Sequence, residues 1–335
     1  MPEQHHLGPA VGPSVGPSVG PSAGPTSGSP LAPQHAADLL AAAIDRCGSP
    51  VCVGLDPVLD KLPAVVRAGH SEPVEAIRAF SLGVIRAVAG QVPAIKFQSA
   101  CYERYGAPGL SVLEHGIAVA RELGLVAILD AKRGDIGISA EHYAAAAFGR
   151  MHADWLTVSP YLGPDTLEPY LAERYATAGK GIFVLVRTSN PGSDLFQTLP
   201  MADGRSVAHM MADAVDAAGS RSIGVSGLST VGAVVGATKP DDAARLRARM
   251  PNAIFLVPGY GAQGGTAADI VALVRAGSGS VGTRGVLVTA SRSVIYAFSE
   301  QQGGQLEKIG AADGWMVAVA DSASTLASEI AMICR

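Results

Sequence analysis

The stretch Leu125-Val-Ala-Ile-Leu-Asp-Ala-Lys-Arg-Gly-Asp135 opens with five apolar residues and carries four charged ones among its last six. An unbroken apolar run of this length, ended by a turn residue, suits a strand buried on both faces, as in a parallel sheet covered by helices. Seven other runs read the same way: Val51 to Leu55, Pro93 to Phe97, Asp154 to Val158, Gly181 to Val186, Val231 to Gly236, Ile254 to Val257 and Gly285 to Thr289. Amphipathic segments alternate with them, at Glu72 to Ala89, Gly109 to Leu123, Ser139 to Arg150, Asp165 to Thr177, Ser206 to Ala218, Pro240 to Arg249 and Thr266 to Ala276, with a last helix at Trp315 to Ile333. Eight strands with helical connections predict an α/β chain folded as a (β/α)8 TIM barrel, with a doubly wound sheet as the alternative.

Strand C-terminal ends face the active site in such a barrel. Asp56 follows the first strand, Lys96 comes after Ala94-Ile95 toward the end of the second, and Asp130 and Lys132 follow Val126-Ala-Ile-Leu129 at the end of the third. The chain has only six lysines against 19 arginines, yet two of the six stand at ends of apolar strands. Residues 130 and 132 share one side of an extended segment, and Asp135 follows in the turn. Lys132, set between two carboxylates, is expected to be an ammonium that acts as acid or electrostatic stabiliser, not as a Schiff-base nucleophile. The plainer alternatives are a surface ion pair for Lys132, a helix cap for Asp135 and a mere helix start for Ser291-Arg292.

Composition narrows the class. Of 335 residues, 48% are hydrophobic and 16% charged, and the net charge is -4. Such a chain buries a large core and has no basic excess to neutralise a nucleic-acid backbone. The four cysteines, Cys47, Cys52, Cys101 and Cys334, form no CxxC pair, and the eight histidines show no metal-ligand spacing. The N-terminus lacks the pattern of a secretory signal, and no apolar run of about 18 residues is expected to span a membrane. A soluble, cytoplasmic protein is the expectation.

Eight of the 22 prolines fall in the first 33 residues, where Gly-Pro recurs every four residues from Gly8 to Pro25. Collagen needs a period of three, so residues 1–34 are expected to be a disordered tail and residues 35–335 the barrel. Glu300 to Gly314, rich in Gly and Gln, reads as a surface insertion.

Leu129-Asp-Ala-Lys-Arg-Gly-Asp-Ile-Gly137 resembles the signature of the orotidine 5'-phosphate decarboxylase family, in the bacterial subgroup with the Asp-Ala-Lys-Arg-Gly-Asp version. Val53-Gly-Leu-Asp-Pro57, Ser159-Pro-Tyr-Leu-Gly163, Thr188-Ser-Asn-Pro-Gly192, Val235-Gly-Ala-Thr238 and Val257-Pro-Gly-Tyr-Gly-Ala-Gln-Gly-Gly265 agree with it in order and spacing. The resemblance runs from about residue 36 to the end, outside the tail and the 300–314 segment. It implies a homodimeric barrel that converts orotidine 5'-phosphate to UMP and CO2, the last step of de novo pyrimidine nucleotide synthesis, with no metal or organic cofactor. It further implies a tetrad of Lys96, Asp130, Lys132 and, lent by the other subunit, Asp135, with Lys132 as proton donor. Asp56 matches a ribose-binding aspartate, Ser139 stands where the family often has Thr, and Ser189 or Thr188 matches a pyrimidine-contacting hydroxyl. Gln263 and Arg292 match the phosphate grip, while Gly261 replaces an Arg carried by many relatives. A Mg²⁺-dependent phosphosugar barrel and a non-catalytic nucleotide-binding barrel remain as alternatives, the first separable by a chelator.

Overall fold

The structure is a computed structural model and describes residues 34–237, 240–261, 264–277, 279–299 and 314–334. The predicted tail, apart from Gln34, and the predicted insertion, apart from Gly314, lie outside these residues. Eight parallel strands close into a barrel in sequence order. They are β1 (Val51–Leu55), β2 (Ala94–Gln98), β3 (Val126–Arg133), β4 (Trp155–Val158), β5 (Gly181–Arg187), β6 (Val231–Val235), β7 (Phe255–Pro258) and β8 (Val286–Ala290). Each overlaps a predicted strand, because runs buried on both faces are the clearest strand signal this architecture has.

Alternation along the strands builds the site. Cys52, Ala94, Ile128, Trp155, Phe183 and Leu287 form the barrel's inner apolar cluster, with the Trp155 and Phe183 rings stacked 4.4 Å apart. Two residues further along their strands, and so on the same face, come Lys96, Asp130, Thr157 and Thr289, which line a cavity at the C-terminal end. The lower interior is thus apolar and the upper interior polar.

The helix Ala36–Cys47 was not among the expected elements. It buries Ala36, Ala37, Leu40, Ala41 and Ile44 against that inner cluster and plugs the N-terminal end of the barrel. Leu40 and Ile44 each contribute roughly 1.5–3 kcal/mol by burial. The expected helix over 165–177 is instead a 3-10 segment, Pro164–Leu171, followed by a short helix, Glu173–Ala176. Pro169 explains the difference, since it removes a backbone donor and clashes with the preceding turn. The helix expected over 266–276 is confined to Ala267–Val271.

Contrary to the expectation of no membrane-length apolar run, Gly314–Ile333 is long and apolar enough to cross a membrane by length and composition. In the fold it packs on the helix Pro73–Val88 and buries Trp315, Val319, Ala323 and Ile330. Trp315 stacks on Phe80 at 5.2 Å and approaches so closely over Gly83 that a Cβ there would collide with its ring.

Candidate active site

Asp130 is the centre of the polar layer. Its side chain is only 8% exposed, and both carboxylate oxygens are occupied: Lys96 Nζ donates to Oδ2 at 2.8 Å and Lys132 Nζ to Oδ1 at 2.6 Å. Thr157 Oγ1 also donates to Oδ1 at 2.9 Å, and Gln98 Nε2 reaches Oδ2 at 3.4 Å. These groups come from three adjacent strands. The ladder places Gln98 opposite Asp130, and the β3–β4 register shifts between Leu129 and Arg133.

That shift is where the extended reading of residues 130 to 132 fails locally. Lys132 has φ 46°, a left-handed conformation that costs a non-glycine residue roughly 1–2 kcal/mol. Its peptide N–H leaves the regular ladder and donates to Thr157 Oγ1 at 3.0 Å. Beyond it, Arg133 pairs with Glu103 at 2.5 Å, and Ser99 Oγ donates to the same Glu103 oxygen at 2.6 Å. The irregular strand end is therefore tied down on both sides.

Charge compensation sets the protonation of the buried pair. Burial pushes the Asp130 carboxyl upward, but Lys96 and Lys132, acting through charge and hydrogen bonds, outweigh it and hold the group well below the usual carboxylate range. Burial pulls Lys96 downward, and the carboxylates of Asp130 and Asp56 outweigh it in turn, raising the ammonium above its ordinary value. Asp130 is thus a fixed anion and Lys96 a fixed cation at neutral pH.

A cavity of about 530 Å³ opens above this layer. Asp56 forms part of its wall at the end of β1, with Oδ1 3.9 Å from Lys96 Nζ and no hydrogen-bond partner among the described residues. A buried acceptor left open in this way is suited to a ligand hydroxyl. The Asp56 backbone is fixed by Tyr296, whose hydroxyl donates to the Asp56 carbonyl at 3.0 Å and accepts from the Val58 N–H at 2.8 Å. Thr188 and Ser189 line the wall after β5, and Arg292 the wall after β8, where its side chain makes no hydrogen bond or ion pair among the described residues. The β7 loop contributes Gly259 and Tyr260 to the wall, and Tyr260 Oη donates to Glu329 at 2.5 Å.

Of the predicted site residues, the structure brings Asp56, Lys96, Asp130, Lys132, Thr188, Ser189 and Arg292 to one cavity. Gln263 lies outside the described residues. Asp135 and Ser139 are not in the cavity wall of their own chain. Asp135 Oδ1 accepts from the Ile136 N–H at 2.9 Å, and Ser139 is exposed on the helix Gly137–Ala144. Beside them Ile136 and Ile138 are 61% and 69% exposed. Sequence reasoning missed Gln98 and Thr157. The same-face spacing that singled out 130 and 132 applies to both, two residues after Lys96 and Trp155. Among the described residues, no group of three or more His, Cys, Asp or Glu is placed to hold a metal ion.

The model of the family described as orotidine 5'-phosphate decarboxylase / HUMPS matches residues 49–302. Over 278 residues the chain is 42% identical to orotidine 5'-phosphate decarboxylase of Rhodopirellula baltica, covering 79% of this chain and 90% of the relative. The enzyme of the same name from Clostridium perfringens strain SM101 is 36% identical over 267 residues, with 79% and 90% covered. Among solved structures, the OMP decarboxylase of Leishmania donovani is similar with a TM-score of 0.66 and 33% identity, covering 89% of this chain and 97% of that one.

Proposed function

This chain belongs to the orotidine 5'-phosphate decarboxylase / HUMPS family, and from that membership we propose that Lys132 is the proton donor of its reaction. The chain is a decarboxylase of pyrimidine nucleotide biosynthesis that converts orotidine 5'-phosphate to UMP and CO2. One observation carries the assignment of Lys132. Its Nζ is held 2.6 Å from a buried, ionised Asp130 while its side chain is 46% exposed, so the ammonium is anchored yet accessible from the cavity.

The chemistry requires such a group. When the bond between C6 and the carboxylate breaks, CO2 departs and the electron pair stays on C6, in an in-plane orbital that the ring π system cannot delocalise. An ammonium aimed at that carbon stabilises the developing charge and then transfers a proton to it, leaving an amine that solvent reprotonates. Asp130 anchors Lys132 and faces the departing carboxylate, so two like charges confront each other in the bound substrate and separate as CO2 leaves. Lys96 keeps Asp130 in place and ionised. Asp56 takes the ribose hydroxyls, Ser189 or Thr188 the pyrimidine edge, and Arg292 with Gln263 the phosphate. Phosphate contacts remote from the breaking bond contribute to catalysis by orienting the substrate. No metal or organic cofactor takes part in this mechanism.

Asp135 and Ser139 serve the neighbouring site of a homodimer. Their place outside their own cavity, beside the exposed Ile136 and Ile138, supports that reading. The composition and cysteine pattern favour a cytoplasmic setting.

Ultraviolet absorbance of orotidine 5'-phosphate, followed with and without a chelator, tests the function. The expected result is loss of the substrate chromophore with full retention of the rate in chelator. Abolition of turnover by chelator, or no turnover at all, contradicts it.

A further inference from the structure

The wall after β5 is held in an unusual way. Between Thr188 and Leu199 only Ser193 is buried, and the short helix Asp194–Gln197 within this wall buries none of its residues. Leu195 and Phe196 stand 69% and 66% exposed. Apolar packing therefore does not order this segment. What reaches it from the barrel is Arg187, the last residue of β5, whose side chain is 4% exposed.

The register of β5 against β6 shifts between Leu185 and Arg187. Leu185 lines the cavity, whereas Arg187 is turned away into the loop. Its guanidinium donates from Nη2 to Asp194 Oδ1 at 2.5 Å, and from Nη1 to Ser193 Oγ at 3.1 Å and Gln197 Oε1 at 3.3 Å. Nε donates to Asp242 Oδ2, at 2.8 Å, on the helix Pro240–Arg249 that follows β6. Gln197 relays the grip inward: its Oε1 accepts from the Thr188 N–H and its Nε2 donates to Thr188 Oγ1, both at 2.9 Å. Ser193 Oγ donates to the Thr188 carbonyl at 3.0 Å, and Thr188 Oγ1 donates to Asn190 Oδ1 at 2.6 Å. Thr188, Ser189, Asn190 and Gln197 all face the cavity.

We propose that Arg187 is a positioning residue that sets the base-facing wall, and with it the preference of the site for a pyrimidine nucleotide over a bare sugar phosphate. The inference rests on the reading of that wall as the pyrimidine side of a decarboxylase site. A buried planar fork with five donors fits this role, because one cation can fix several acceptors in a set geometry where a lysine supplies only a point charge.

Calorimetric binding of UMP and of ribose 5-phosphate to the full-length protein tests it. Arg187→Met should lose at least tenfold in UMP affinity and keep ribose 5-phosphate affinity within twofold. Asp194→Ala, which leaves Arg187 paired with Asp242, should show a smaller loss of the same selectivity and decides the matter if Arg187→Met does not fold. Equal losses on both ligands, or wild-type selectivity in Asp194→Ala, overturn the inference alone. Wild-type protein that binds neither compound overturns the reading of the site, and this inference with it.

Discussion

The peptide N–H of Lys132 is held by the side chain of Thr157, at 3.0 Å, and the same hydroxyl donates to Asp130 Oδ1. Thr157 thus fixes the backbone of the proposed proton donor and the carboxylate that anchors its ammonium. Thr157→Val keeps the shape and removes both bonds. Losing these two bonds, one of them to the buried Asp130 carboxylate, is expected to cost about 1–3 kcal/mol of stability. Because the left-handed turn at Lys132 loses its support, kcat should fall by tenfold or more while KM changes little. Denaturant unfolding and steady-state kinetics check this, and wild-type kcat contradicts it.

The opposed charges of Asp130 and Lys96 give stability a pH dependence of definite sign. Asp130 is depressed below its ordinary value of 3.8, so its stabilisation is fully present above that value and is lost as pH falls toward the folded one. Lys96 is raised above its ordinary 10.5, so its stabilisation is complete below that value and is lost as pH rises through the folded one. Asp130→Asn should therefore be less stable than wild type at neutral pH, with the gap narrowing below pH 3.8. A gap that stays constant between pH 7 and pH 2.5 contradicts the assignment.

The strands were legible because each is a short apolar run buried on both sides, and the catalytic candidates because charged residues such as Lys96 and Asp130 interrupt those runs toward their C-terminal ends. The helix Ala36–Cys47 escaped notice because it follows no strand: its role as a plug depends on the inner faces of several strands, which only the closed barrel brings together. Thr157 and Arg187 were missed for related reasons. A single Thr in Trp155-Leu-Thr-Val158 is ordinary strand sequence until Asp130 is placed beside it. Arg187 acts through acceptors 6 to 55 residues away, a distance at which local pattern carries no signal.

Arg292 should grip phosphate, since it lines the cavity at the helix start after β8, where barrel phosphate sites are commonly built. Arg292→Ala should lose far more kcat/KM with orotidine 5'-phosphate than with orotidine lacking the phosphate. An equal fractional loss on both substrates refutes the role.

Shared active sites predict complementation. Lys132→Ala and Asp135→Asn should each be nearly inactive alone. After free exchange of equal amounts, half the dimers are mixed and each has one intact site of two, so about a quarter of wild-type activity should return. Recovery must track subunit exchange. Mixtures shown to contain mixed dimers, yet giving only the sum of the two mutant rates, contradict a shared site.

The proton-donor assignment is tested most directly by the single-site variant Lys132→Ala, assayed by the loss of orotidine 5'-phosphate absorbance once circular dichroism shows the barrel intact. The account predicts that the folded variant loses nearly all turnover. Retention of more than about a tenth of wild-type kcat, a deficit below ~1.4 kcal/mol, contradicts it.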